Sequence, residues 1–144
     1  MDTETWIAGI GVGDIKFGMP ISSLEHFMNL EKVDSDRKDP EDRQYIDWDE
    51  DISISDNESN GDGIDSIHVY KTLKFNSTEL IGVPVEIFQK IVGDRSPARI
   101  ENIWLDDEDC QQVYEFESLG AQVWVKDGIV VSICVGPIED DAED

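Results

Sequence analysis

Apolar residues recur along this chain at two spacings, one helical and one strand-like. Leu24, Phe27 and Met28 stand at i, i+3 and i+4, and so do Phe88, Ile91 and Val92, which predicts two short amphipathic helices with one apolar stripe each. Ser22 with Glu25 fits a capping box on the first helix, and Pro84 suits the first turn of the second. Asn29 and Gly93 are residue types that tolerate the left-handed conformation past a helix end. Laying Phe17-Gly18-Met19-Pro20-Ile21 over Ile81-Gly82-Val83-Pro84-Val85 aligns the stripes position by position: Leu24 with Phe88, Phe27 with Ile91, Met28 with Val92. This predicts an internal duplication, with pseudo-repeats at about 9–75 and 76–138.

Each helix is followed by strand material. In the first half this is Ile52-Ser53-Ile54-Ser55, a polar loop from Asp56 to Gly63, then Ile67-His68-Val69-Tyr70. In the second it is Val123-Trp124-Val125-Lys126, the pair Asp127-Gly128, then Ile129 to Val135. Asp-Gly between alternating apolar runs predicts a hairpin, because a primed turn needs positive φ at both central residues. Parity along the last strand puts Ile129, Val131, Ile133 and Val135 on the core face, with Val130, Ser132 and Cys134 opposite. Segments 99–105 and 113–116 read as further strands, with a helix from Cys110 to Leu119 as the alternative. The expected fold is α+β: a single domain over 1–138 in which two short amphipathic helices cover antiparallel sheet, with a loop from Asp34 to Arg43 and an acidic disordered tail at 139–144.

Charge changes the picture most. Thirty-four acidic residues against eleven Lys and Arg leave a formal charge of −23, well past what solubility requires. Such a field repels phosphate backbones and anionic lipid and speeds encounter with a cationic surface, so nucleic acid and membrane are not the expected direct ligands. The opening residues lack a basic stretch followed by an apolar one, no run approaches the length of a membrane span, and Cys110 and Cys134 have no paired spacing. A reducing cytoplasm is the expected compartment.

Catalytic chemistry has little to work with. His26 and His68 are the two histidines, and Gly9-Ile10-Gly11-Val12-Gly13 has neither the dinucleotide fingerprint nor the lysine and hydroxyl of a phosphate loop. The run Asp56 to Asp62 begins like a calcium loop, but Ile67 stands where the bidentate carboxylate would be needed. No enzyme, cofactor or metal site is expected.

Two acidic clusters carry an aromatic residue: Asp47, Trp48, Asp49, Glu50 and Asp51, and Trp104 with Asp106, Asp107, Glu108 and Asp109. An aromatic anchor supplies buried contact while the carboxylates steer and orient a partner. The alternative for each is a core tryptophan with a hydrated acidic rim.

The strand leading into Phe17-Gly18-Met19-Pro20-Ile21-Ser22, a short helix, and Leu119 to Ile133 near the end resemble small bacterial immunity proteins of toxin and contact-dependent growth inhibition systems. The doubled helix-and-sheet unit is similar to the tandem repeats of beta-lactamase inhibitor protein. The resemblance implies a cytoplasmic antidote that binds a cognate basic toxin domain, a nuclease first among them, and blocks its active or substrate-binding site. The competing expectation is a general acidic interaction module, or nucleic-acid mimic, that occupies a basic host protein.

Overall fold

The structure is a computed structural model that describes residues 3–33, 42–57, 63–93, 97–104 and 109–138. The expected loop therefore falls partly, and the acidic tail wholly, outside the described residues. Asp42 and Arg43 belong to a strand instead of that loop.

Antiparallel sheet dominates. A small three-stranded sheet, β1 (Trp6–Ile7), β2 (Gly11–Val12) and β3 (Ile15–Lys16), opens the chain. Its tight return needs glycine at position 11, where φ is +154° and a Cβ would overlap the Ile15 carbonyl oxygen. The main sheet follows, built from β4 (Glu31–Val33), β5 (Asp42–Asp47), β6 (Ile52–Asn57) and β7 (Ile64–Val69). The hairpin β8 (Lys74–Phe75) and β9 (Thr78–Glu79) leads to helix α1 (Val85–Val92), and the sheet is completed by β10 (Arg99–Trp104), β11 (Cys110–Phe116), β12 (Ala121–Lys126) and β13 (Ile129–Val135). The eight strands lie in the order β10-β11-β12-β13-β7-β6-β5-β4. Residues 110–116 are thus strand, and the helical alternative for that segment is overturned.

The second predicted helix forms and the first does not. Pro84 precedes α1 in extended conformation, Gly93 closes it at φ 75°, and Val85 and Phe88 are buried beneath it. The first segment makes a single 3-10 turn over Ile21–Leu24, with no side-chain cap from Ser22. Leu24 and Met28 are buried, but Phe27 is 65% exposed. The chain leaves the turn because the backbone N–H of Asn29 donates to Asp47 Oδ2 (3.1 Å), which draws it into β4.

Both turns hook onto the sheet in the same way. Gly18 N–H donates to the Ile64 carbonyl and Ile64 N–H to that of Met19; Gly82 N–H donates to the Val130 carbonyl and Val130 N–H to that of Val83. The register of each hairpin also shifts at one place, between Ser55 and Asp56 in β6 and between Trp124 and Val125 in β12. At the centre Cys134 pairs with His68, flanked by Ile133 with Val69 and Val135 with Ile67, so exchanging β7 and β13 returns the same pairing.

The Asp127-Gly128 turn has positive φ at both residues (54° and 80°), as a primed hairpin requires. The bulge corrects the parity expected for β13. Trp124 opposes Ser132 and Val125 opposes Val130, leaving Val131 as the extra residue. Val130 therefore joins Ile133 and Val135 in the core, Ile129 is exposed and Val131 is only partly buried.

Candidate functional site

The sheet has one packed face. Ile52, Ile54, Ile67, Val69, Val123 and Ile133 point into a core shared with Trp6, Leu24, Phe88 and Phe116. Alternation sends their neighbours to the opposite side, where Ser53, His68, Ser132, Cys134, Trp124 and Val113 stand outside that core. No α-helix is described on that side: α1 is anchored through Phe88 on the packed face.

An aromatic cluster occupies the middle of this second face. The His68 ring stacks on Tyr70 with centroids 4.3 Å apart and lies 5.9 Å from Trp124. His68 Nε2 is hydrogen-bonded to the Ser132 hydroxyl at 2.9 Å. Ser53, Ser132 and Val113 sit low enough to be buried, while Tyr70 stands exposed above them. The Trp124 indole N–H is buried without an acceptor among the described residues. Beside the cluster a depression of about 530 Å³ is lined by Ser66, Glu115, Glu117, Gln122 and Cys134 among others. Glu115 accepts from Arg99 (2.8 Å) and from Gln122 (3.2 Å).

Burial pushes the His68 pKa from 6.5 down to about 4, so the ring is neutral at pH 7 and adds no charge to the cluster. The consequence for stability has a definite sign. A histidine whose folded pKa is lowered takes up its proton more readily when unfolded, so its contribution is complete above pH 6.5 and is lost as pH falls toward 4. Carboxylates also titrate there, so the useful measurement is a difference. Urea denaturation of the parent and of His68→Gln at pH 7 and pH 4.5 is expected to show a steeper loss for the parent. Parallel losses would mean that His68 does not carry the effect. Burial raises the Tyr70 pKa, helped by Cys134 and Asp51, and keeps that phenol uncharged as well.

The described residues of the two acidic clusters are not brought together. Asp47 ends β5 and Asp49 to Asp51 lie in the β5–β6 connection, whereas Trp104 ends β10 and Asp109 precedes β11, on opposite halves of the strand order. Asp47 is 3% exposed and faces inward. Besides Asn29, its carboxylate accepts the backbone N–H groups of Asp49 (3.0 Å) and Glu50 (3.1 Å), so it shapes the loop and is not a surface contact. Trp48 is 66% exposed and donates its indole N–H to Glu31 (2.8 Å); Asp49, Glu50 and Asp51 are exposed around it. Trp104, 65% exposed, ends β10, and Asp109 is ion-paired with Lys126 at 2.9 Å. Neither tryptophan is a core residue. Asp106, Asp107 and Glu108 lie outside the described residues.

The His68, Tyr70 and Trp124 cluster escaped the sequence reading. Its signal was present: alternation along β12 puts Trp124 with Gln122 and Lys126, on the side facing away from Val123 and Val125.

Among the described residues no group of three potential ligands is placed to hold a metal ion, and no helix is long and apolar enough to cross a membrane. Compared with protein-family models, with curated proteins and with solved structures, the chain matches none.

Proposed function

We propose that the protein is an immunity-type inhibitor that binds a basic toxin domain in the cytoplasm, a nuclease being the best fit, and occludes its active or substrate-binding site. The observation that carries this reading is the sheet face with its stacked His68 and Tyr70, its Trp124 and its adjoining Glu115 and Glu117, in a chain of formal charge −23. A nuclease holds phosphates with Lys and Arg. An inhibitor gains by presenting carboxylates where nucleic acid would lie, with affinity coming from a few desolvated anchors. Size agrees: eight strands at ~4.8 Å spacing and ~20 Å length offer roughly 700 Å², close to the ~800 Å² per partner of a standard interface.

The same reading takes the halves as two copies of one unit, a Pro-led turn followed by a four-stranded meander. The matched hooks, the matched bulges and the reciprocal pairing of β7 with β13 support it. Fusing two meanders edge to edge doubles the width of the face.

Affinity capture from the source cell, followed by coexpression with the captured protein, tests the proposal: growth should be rescued. Tyr70→Ala should weaken the captured complex by about 30-fold, the loss of a ~2 kcal/mol anchor, while costing the fold no more than the roughly 0.5–1.5 kcal/mol of its stack on His68. Full affinity in Tyr70→Ala and Trp124→Ala alike would remove this face from the interface.

A further inference from the structure

The outer strand β10 offers a second mode of contact. It is the terminal strand of the main sheet, and all six of its residues pair with β11, from Arg99 opposite Glu115 to Trp104 opposite Cys110, without a bulge. Among the described residues no strand pairs with its other side, which therefore presents its backbone groups outward. The opposite edge, β4, is only three residues long.

Natural edge strands are protected by shortness, a bulge, proline or charged side chains, lysine above all. The run Arg99-Ile100-Glu101-Asn102-Ile103-Trp104 is six residues long without bulge, proline or lysine, and its two charges, Arg99 and Glu101, are paired with each other. Ile100 (49% exposed), Asn102 and Trp104 project to one side, and Arg99, Glu101 and Ile103 to the other. Arg99, the one cation of the strand, is engaged by Glu101 (2.7 Å) and Glu115 (2.8 Å), so the edge carries two carboxylates against one guanidinium. A long edge with exposed apolar residues invites another strand. A second copy of this chain would bring a further charge of −23, whereas a cationic segment would be attracted.

We infer that β10 accepts an extended basic segment of the partner as a ninth strand. Backbone groups of the segment pair with those of Arg99–Trp104, its apolar side chains lie on Ile100 and Trp104, and its Lys or Arg side chains reach Glu101 and Glu115. The inference rests on the basic-partner reading but concerns a different surface from the Tyr70 and Trp124 face.

The test uses the full chain at low salt with two probes: a short peptide of alternating Lys and Val, and the same peptide with Pro at alternate Val positions. The first should bind saturably and slow amide hydrogen exchange within residues 99–104. The second, equal in charge but unable to pair, should bind at least roughly tenfold more weakly, and Ile100→Ala with Trp104→Ala should weaken the first by a similar factor. Unchanged melting temperature in that double variant would show that the fold is intact. Equal binding of both peptides, or protection appearing around Tyr70 instead of on β10, would overturn the edge inference and leave the basic-partner reading standing. Binding of neither peptide would count against both.

Discussion

Phe88→Ala is expected to lower the unfolding free energy by about 3–5 kcal/mol. Phe88 has no solvent exposure, and its ring lies 5.4 Å from that of Phe116 in a tilted arrangement. It is also the buried centre of the one α-helix described, which at eight residues is too short to persist without its packing. Truncation would open a cavity where helix and sheet meet and release the helix together. A domain of this size holds on the order of 5–15 kcal/mol in total, so the variant should lose a large share of its cooperative transition. Urea denaturation followed by circular dichroism checks this, with Ile87→Ala, an exposed position on the same helix, expected within about 0.5 kcal/mol of the parent. A double-mutant cycle with Phe116→Leu should show a coupling of roughly 0.5–1.5 kcal/mol from the ring pair. A Phe88→Ala loss under about 1 kcal/mol would mean that α1 contributes little to the core.

The contrast between Phe88 and Phe27 explains how far the sequence could be read. Both belong to an i, i+3, i+4 apolar pattern, and the pattern alone makes them equivalent. In α1 the cue is reinforced by a proline before and a left-handed glycine after, and the helix forms. In the first half the same cue competes with a distant acceptor: Asp47, eighteen positions along, takes the N–H of Asn29 and ends the turn. No local pattern reports that bond. The β13 parity failed for a related reason, because periodicity assumes an unbroken ladder and the bulge opposite Trp124 inserts one residue. The Asp-Gly hairpin, by contrast, depends only on adjacent residues and their φ preferences, and it was legible.

The site divides along the same line. Acid-rich runs are visible in a sequence, and they drew attention to Trp48 and Trp104, which are indeed exposed. What a run cannot show is which of its carboxylates has been recruited inward, as Asp47 has. Nor can it show that His68 of β7, Tyr70 just past the end of that strand, Trp124 of β12 and Ser132 of β13 meet on one surface. That assembly depends on the pairing of β7 with β13, a long-range contact between two strands that each look ordinary alone.

Arg43→Ala should cost about 3–5 kcal/mol, by stripping the cation from a carboxylate that has almost no access to water. Asp56 has a side chain 3% exposed and receives Arg43 through Nε at 2.9 Å and Nη2 at 3.3 Å. The pair lies across β5 and β6 at the bulge, where Asp56 also opposes Ile64. At the matching bulge of the other half, Val125 opposes Val130 and is paired with Gln112 across β11 and β12. The fold thus already contains an uncharged solution to the same backbone geometry. Since a buried ion pair repays little more than its own desolvation, the double change Arg43→Gln with Asp56→Val should restore stability to within about 1 kcal/mol of the parent or exceed it. Urea denaturation of the single and double variants decides the matter. A double variant no more stable than Arg43→Ala would mean that the two bulges are not interchangeable environments, and the proposed duplication would lose its strongest structural support.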